Sequence, residues 1–343
     1  MRFHTRWRIG LLGLVVSLLA LYFIASQINL PELGAAFGRV RWVWFLLCAI
    51  FLVLGLVTRA RRWRVLLSDG LPLSRAFSIM NVAYLVNGLL PLRMGEVARA
   101  YLATRANPPV PVLKSVSTII VERLLDLLAV VGLIAIALAL GRLPDELRAA
   151  ALFFGPAAVL GFLFLVFLAG NRALATRLLN GLAARLPVLA RLNVPRLVEH
   201  FLDGLAPLTQ PRALASALAW TAISWALSVV AGYVLMFAVW ERGDLATTCL
   251  FIAAAALAIA VPAVPGNVGT YELSILLALG ATGYGEPAST AGVFALLVHG
   301  VNLLVYAIFG VLGFIQEGIS LEQLSQGVQG MQQSSAGLNS QNV

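Results

Sequence analysis

Long apolar stretches dominate this sequence and restrict it to one class of fold. Six of them are long enough to cross about 30 Å of hydrocarbon as helices, and they lie near residues 9–28, 43–57, 115–140, 149–169, 213–240 and 288–315. A soluble domain carries about 25% charged residues, whereas this chain carries 11% and is 60% hydrophobic. The sequence therefore predicts an all-α polytopic membrane protein. The first stretch is interpreted as a retained span, because no clean cleavage site follows it.

Two further apolar regions are each interrupted by a polar turn rich in proline and glycine. The first hairpin, residues 73–104, is interrupted at 90–96, and the second hairpin, residues 246–281, at 264–272. Proline and glycine end helices, so each region is interpreted as a re-entrant helical pair that returns to the side it came from. The alternative is that both regions cross the membrane fully; for the first hairpin, a helix-stop turn with an interfacial salt bridge is a further alternative.

The charge of the connecting segments predicts the orientation, because cytoplasmic loops accumulate Lys and Arg. The basic segments are the N-terminus, 59–75, 93–114 and 171–212, the last with six arginines. The nearly neutral or acidic segments are 29–41, 141–148, 241–245 and 282–287. Six crossings and two re-entrant hairpins place all basic segments on one side. We therefore predict a multi-pass protein of a bacterial inner membrane with both termini in the cytoplasm.

This order of elements predicts an internal repeat within one transmembrane domain, residues 1–317. Each half, about 1–142 and 143–317, contains two spans, a hairpin and a span. Because each half has three crossings, the second half is inverted, as in many transporters. The connection 171–212 is expected to form amphipathic helices that face anionic lipid headgroups. Residues 318–343 are rich in Gln, Ser and Gly, and we predict a disordered cytoplasmic tail.

Three ionisable residues lie together about two turns into the third span. They are Glu122, Arg123 and Asp126, and each ionised group costs about 2.5 to 3.5 kcal/mol in hydrocarbon unless it is paired or hydrated. Arg123 precedes Asp126 by three residues, so a helix brings them within pairing distance. These residues are predicted to bind substrate. The alternative is that the segment starts deeper in the cytoplasm and holds them at the interface.

The first hairpin is a candidate anion site. A broken helix leaves backbone donors unsatisfied, and arginine binds phosphate with planar, bidentate geometry. Arg93 and Arg99 are therefore predicted to contact a phosphate-bearing headgroup, with Asn87 beside them. Glu96 is expected to position these arginines or to accept a headgroup amine.

The second hairpin supplies a separate set of candidates. Asn267, Gly269 and Tyr271 surround its turn, and Glu272 looks like an isolated carboxylate in an apolar region. An isolated carboxylate favours protonation or a partner, so Glu272 is predicted to couple transport to protons or cations. His299 follows Glu272 by 27 residues, much as Glu122 follows Glu96 by 26, and is assigned to the same role. The alternative for His299 is an ordinary hydrogen bond between packed helices.

Motifs for other chemistries are missing from the sequence. It has no GxSxG, HExxH, Walker or CxxCH motif, and its three histidines are scattered. Its two cysteines, Cys48 and Cys249, lie far apart in apolar runs. We therefore predict no catalytic residue, metal or cofactor, and the basic residues, spread in short clusters, do not indicate nucleic acid.

Three motifs in order resemble the transmembrane region of lysylphosphatidylglycerol synthases, a flippase-like family. They are Asn87-x-x-Leu90-Pro91-x-Arg93-x-Gly95-Glu96-x-x-Arg99, Glu122-Arg123-x-x-Asp126 and Pro265-Gly266-Asn267-x-Gly269-Thr270-x-Glu272. The resemblance covers about residues 5–317 and implies lipid translocation, or a component of a lipid pathway. No aminoacyl-transferring domain follows residue 317, so the chain is not expected to make lysyl lipid itself.

The leading hypothesis is a flippase for a phosphate-bearing or polyisoprenoid-type lipid that works by alternating access. The first rival is a membrane-embedded transferase that uses Glu122 and Asp126. The second is a non-transporting accessory subunit that binds lipid-synthesis enzymes.

Overall fold

The computed structural model describes residues 2–27, 29–90, 93–141, 209–260 and 265–337, with scattered positions between 156 and 181. Most of these residues are helical, with no strand among them. Numbered along the five main described segments, the helices are α1 (Arg2–Gln27), α2 (Leu30–Gly38), α3 (Trp42–Leu66), α4 (Leu73–Leu89), α5 (Met94–Thr104), α6 (Val112–Leu140), α7 (Pro211–Val239), α8 (Leu245–Ala260), α9 (Thr270–Ala281), α10 (Ala288–Glu317) and α11 (Leu321–Gly337).

Four of the described helices are long and apolar enough to cross a membrane, namely α3, α6, α7 and α10. A fifth crossing is added if the bent pair Leu14–Ser26 and Pro31–Gly38, with an angle of 83° between its parts, forms one span. The all-helical membrane class is therefore confirmed. Much of the predicted span 149–169 and most of the connection 171–212 lie outside the described residues, so six crossings stay a prediction.

The first hairpin is built from α4 and α5. The chain turns at Arg93, whose φ of 54° is left-handed, and the Asn87 Oδ1 accepts a hydrogen bond of 2.8 Å from the Gly95 backbone N–H. A Cβ atom at Gly95 would overlap the carbonyl oxygen of Ala83. Only glycine therefore lets α5 approach α4 this closely.

The second hairpin is built from α8, a 3₁₀ turn at Pro265–Asn267, and α9. Gly269 precedes α9 with a φ of 89°, and a Cβ atom there would lie 2.8 Å from the carbonyl oxygen of Ser17 in α1. Gly266 approaches the carbonyl oxygen of Gly88, at the end of α4. The turns of the two hairpins therefore lie next to each other.

The helices pack in matching pairs. Helix α3 lies along α7 at the centre, α4 packs against α10, and α8 packs against α6. Within each hairpin the two arms contact each other, and the second arm contacts the following long helix, α5 with α6 and α9 with α10. The largest buried apolar cluster joins α3, α6, α7, α8, α9 and α10, with Phe251 and Phe294 in edge-to-face contact at its centre.

Two expectations differ from the described structure. The basic segment that begins at Arg59 is assigned to a cytoplasmic loop by the sequence analysis, but α3 continues through four of its arginines to Leu66. Partners on α6 and α7 hold two of them, Arg59 and Arg62, inside the bundle. The tail was expected to be disordered, but residues 321–337 form α11. Leu324 and Val328 bury one face of that helix against the cluster around α4 and α5, a short apolar stripe that the polar composition obscures.

Candidate functional site

Arg62 lies at the centre of a group of charged side chains between α3, α6 and α7. Its side chain is 3% exposed. Its two terminal nitrogens donate to the two carboxylate oxygens of Asp126, at 2.7 and 3.4 Å, and Nη1 also contacts the Thr221 hydroxyl at 3.3 Å. The Trp225 indole N–H donates to the same carboxylate at 3.1 Å. This buried guanidinium therefore links three helices.

A second buried arginine connects the first hairpin to this group. Arg99, on α5, donates from Nη1 to Glu122 Oε2 at 2.6 Å, and its guanidinium carbon lies 3.9 Å from the centre of the Trp63 ring. The other Glu122 oxygen lies 3.8 Å from Arg62 Nε. Arg99 Nε and Nη2 are buried without a hydrogen-bond partner, so this arginine has unused donor capacity.

The open side of the group consists of a bridge between the hairpin and α6. Glu96 Oε1 accepts from Arg123 at 2.9 Å and lies 3.6 Å from Arg93. Arg123 lies 3.7 Å from Asp126, so the self-pairing predicted within α6 is present, although Arg62 is the closer partner of Asp126. The side chains of Arg93 and Arg123 are 38% and 44% exposed, and these two arginines are therefore the accessible part of the site.

Arg59 completes the group without a short carboxylate contact. It bonds through Nε and Nη2 to the hydroxyls of Ser224 and Ser228 on α7, both at 3.3 Å. Tyr84 and Tyr306 stack beside it with ring centres 5.0 Å apart. We call the whole set the charged cluster; its members are Arg59, Arg62, Arg93, Glu96, Arg99, Glu122, Arg123 and Asp126.

A separate pair lies in the second hairpin. Glu272 Oε1 is 2.5 Å from His299 Nδ1, and Glu272 Oε2 accepts from the Gly269 backbone N–H at 2.8 Å. The Tyr271 ring packs on the His299 ring with centres 4.6 Å apart. Glu272 was expected to be isolated, but the pairing of α9 with α10 supplies its partner. We call Glu272 and His299 the second pair.

The structure separates the predicted site residues into groups. It brings together Arg93, Glu96, Arg99, Glu122, Arg123 and Asp126 in the charged cluster, and Tyr271, Glu272 and His299 in the second pair. Asn87 caps α5 instead of facing an open site. Asn267 and Gly269 form the turn of the second hairpin, where the Asn267 carbonyl accepts from the Thr270 hydroxyl at 3.0 Å.

Sequence reasoning missed the contribution of α3 and α7 to the charged cluster. Arg59 and Arg62 are three residues apart and therefore share a helix face, which indicates that α3 presents both to the same neighbours. The sequence analysis used them only as positive charge in a connecting segment. On α7 the polar residues Thr221, Ser224 and Ser228 recur every three or four positions in an apolar span, and this stripe faces the arginines. Among the described residues, no group of three or more His, Cys, Asp or Glu is arranged to hold a metal.

The fold and site define a helical multi-pass membrane protein with a charged cluster enclosed by its long helices. The family described as the lysylphosphatidylglycerol synthase TM region matches residues 10–310. The chain therefore belongs to this family, as the three motifs indicated.

One curated relative is a glycosyltransferase by name, AglD of Haloferax volcanii. It is 23% identical over an alignment that covers 90% of this chain and 54% of that protein. The chain therefore spans about half the length of this relative.

Proposed function

We propose that this protein moves a phosphate-bearing or polyisoprenoid-phosphate lipid across the membrane by alternating access between two inverted halves. The single observation that carries the proposal is the composition of the charged cluster. It contains five arginines and three carboxylates, so two positive charges are uncompensated when all eight groups are ionised. A lipid phosphate supplies the missing negative charge.

The energetic reason is the low polarity of the surroundings. Each ionised side chain inside hydrocarbon costs about 2.5 to 3.5 kcal/mol unless it is compensated. Arg62 and Arg99 are compensated by Asp126 and Glu122, whereas Arg93 and Arg123 share the single carboxylate of Glu96. A phosphate that joins these two exposed arginines accepts hydrogen bonds from both and compensates the one that Glu96 leaves unpaired; the other uncompensated charge is that of Arg59, which bonds to the hydroxyls of Ser224 and Ser228.

The helix packing supports two related halves. If α3 and α7 are equivalent, then the contact of α4 with α10 corresponds to that of α8 with α6, and the two hairpins correspond to each other. The central contact of α3 with α7 then lies on the axis that relates the halves. Three predicted crossings in each half would invert the second relative to the first, which is the architecture in which one substrate site is exposed alternately to each side.

A second candidate is a lipid-modifying transferase or a partner of one, which the name of the relative favours. Such an enzyme would need Glu122 or Asp126 as a general base. Both carboxylates accept hydrogen bonds from buried arginines at 2.6 and 2.7 Å. These charge-assisted bonds engage both oxygens of Asp126 and one oxygen of Glu122. The other Glu122 oxygen has no hydrogen-bond partner but is buried, so it is not presented to a substrate and the geometry supports a binding role better.

Translocation by the purified full chain in liposomes tests the proposal. Fluorescent lipids with a phosphate monoester, a phosphodiester or an uncharged headgroup are placed in one leaflet, and their appearance in the other is followed by chemical quenching. We expect movement of the phosphate-bearing lipids only. Arg93→Lys should slow it about tenfold or more despite the retained charge, because lysine cannot contact phosphate with two parallel donors.

The matched control is Arg61→Lys, because Arg61 is exposed on α3 and lies outside the charged cluster. It should move lipid at the wild-type rate. Equal rates for uncharged and phosphate-bearing lipids, or normal movement in an Arg93→Ala, Glu272→Gln double variant at wild-type protein levels, would overturn the proposal. Turnover of a lipid donor by the purified protein would establish the transferase instead.

A further inference from the structure

Two ion pairs occupy the same position in the two hairpins. Glu96 is the third residue of α5 and Glu272 is the third residue of α9. Glu96 accepts from Arg123 at 2.9 Å, and Glu272 lies 2.5 Å from the Nδ1 of His299. In each case the basic partner lies 27 residues after its glutamate, on the long helix that follows the hairpin.

The same displacement of 176 positions relates the elements around these pairs. Helix α5 begins at Met94, and α9 begins 176 positions later at Thr270. Helix α6 begins at Val112, and α10 begins 176 positions later at Ala288. The prolines that precede α6 and α10, Pro111 and Pro287, are separated by the same 176 positions. The second pair is therefore the counterpart of Glu96 and Arg123, in one continuous register from hairpin to long helix.

The two pairs differ in exposure and in chemistry. The side chains of Arg123 and Glu96 are 44% and 29% exposed, whereas those of His299 and Glu272 are 7% and 8% exposed. Arginine stays protonated at all physiological pH values, and histidine titrates near neutrality. One pair is therefore open and contains an arginine, and its counterpart is closed and contains a histidine.

We propose that Glu272 and His299 form a second phosphate-binding station, which serves the opposite leaflet and holds a phosphate when His299 is doubly protonated. This inference rests on the proposed function. The contact with Glu272 engages His299 Nδ1, so Nε2 is the nitrogen through which the ring would contact a ligand. A protonated Nε2 donates to a phosphate oxygen, whereas an unprotonated Nε2 presents a lone pair that repels it.

The closed state of this station fits alternating access. The pair of Glu96 and Arg123 is partly exposed, and the pair of Glu272 and His299 is buried. The structure therefore corresponds to the conformation that is open to the side of the membrane from which the first hairpin enters. Exchange of the two halves' conformations would expose His299 and bury Arg123. A phosphate would then pass from a permanent cation to one that releases it when a proton leaves.

Few ionisable groups face the second pair. The ionisable groups near this pair, among the described residues, come from four helices. They are Tyr271 on α9, Tyr306 on α10, Cys48 and Arg59 on α3, and Tyr84 on α4, whose ring stacks on that of Tyr306. Helices α2 and α7 also pack on α10; their ionisable residues within the described part are Glu32, Arg212 and Tyr233. Among the described residues, Glu272 is the group that forms an ion pair with the imidazole, whereas Tyr271 contacts it through its ring face, so the charge of the station is decided by Glu272 and His299.

Titration of His299 by nitrogen NMR tests the station directly. The full chain, labelled with ¹⁵N-histidine, is placed in nanodiscs of phosphatidylcholine with or without phosphatidylglycerol, and a further sample receives inorganic phosphate. The chain has three histidines, and His299→Gln assigns the signal. A phosphate that binds the protonated form tenfold more tightly raises the titration midpoint by about one pH unit.

We expect that rise for His299 and a smaller one for His4 and His200, which serve as the reference for a general effect of the anionic lipid on the histidines of the chain. A rise with phosphatidylglycerol identifies a lipid headgroup as the ligand, and one with inorganic phosphate alone identifies the free ion. A midpoint for His299 that moves no more than those of His4 and His200 in every sample would overturn the proposal.

Exchange of the two basic residues provides a second, functional test. In liposomes, His299→Arg should remove the pH dependence of lipid movement measured from the side of the second hairpin. Arg123→His should introduce a pH dependence of lipid movement measured from the side of the first hairpin. Unchanged pH profiles in both variants would contradict the station. If the wild-type protein moves no lipid at any pH, the proposed function fails, while the NMR titration still decides whether His299 binds phosphate.

Discussion

Removal of Arg62 is the perturbation whose effect on stability can be argued most closely. Arg62→Met keeps a long side chain on α3 but leaves Asp126 without its two hydrogen bonds from that helix, at 2.7 and 3.4 Å. Removing one partner of a buried ion pair costs about 3 to 5 kcal/mol. Asp126 retains the Trp225 bond and is 23% exposed, so we expect about 3 kcal/mol, the lower end of that range.

The assay is reversible unfolding of the purified protein in mixed micelles, with Arg61→Met as the matched control. Arg61 is the exposed neighbour on the same helix, and its loss should cost less than about 0.5 kcal/mol. The Arg62→Met, Asp126→Asn double variant should recover about 1 kcal/mol or more, because the uncompensated carboxylate is gone. A single variant Arg62→Met as stable as Arg61→Met would refute the account of the charged cluster.

Three further predictions concern packing and orientation. Gly95→Ala should destabilise the protein by about 2 kcal/mol because its Cβ meets the α4 backbone, whereas Gly88→Ala, which meets nothing within 4 Å, should be nearly neutral by the same unfolding assay. Cysteine introduced at Glu286 should react with an impermeant maleimide in intact cells and cysteine at Ala183 should not; the reverse pattern would overturn the orientation. Leu324→Asp should release α11 from the bundle and expose residues 321–337 to limited proteolysis, with an unchanged digestion pattern counting against that packing.

The sequence predicted the class of fold because hydrocarbon thickness sets a minimum length for each span. The breaks in both hairpins were also predictable, because proline and glycine end helices. The structure gives the reason for two of the glycines, since a Cβ atom at Gly95 or Gly269 would meet the backbone of a neighbouring helix. The extent of α3 was not predictable from loop charge. Counting arginines treats them all as solvated, whereas Arg62 is buried because helices distant in sequence bring it carboxylate and hydroxyl partners.

The candidate site was predicted in part for the same reason. Motifs within one hairpin or one span identified Glu96, Arg99 and Glu122, but local spacing carries no information about which helices will be neighbours. The contact of Glu272 with His299 needed the packing of α9 on α10. The hydroxyl stripe on α7, with Ser224 at its centre, became meaningful only once α3 was placed against it.

Native mass spectrometry of the protein released from its own membrane tests the central claim most directly, because the claim is that the open arginines hold a lipid phosphate. We predict a phosphate-bearing lipid bound to the wild-type protein and to Arg61→Ala, and its loss from an Arg93→Ala, Arg123→Ala variant that keeps the wild-type unfolding midpoint. The same lipids at the same occupancy in all three proteins would contradict the account.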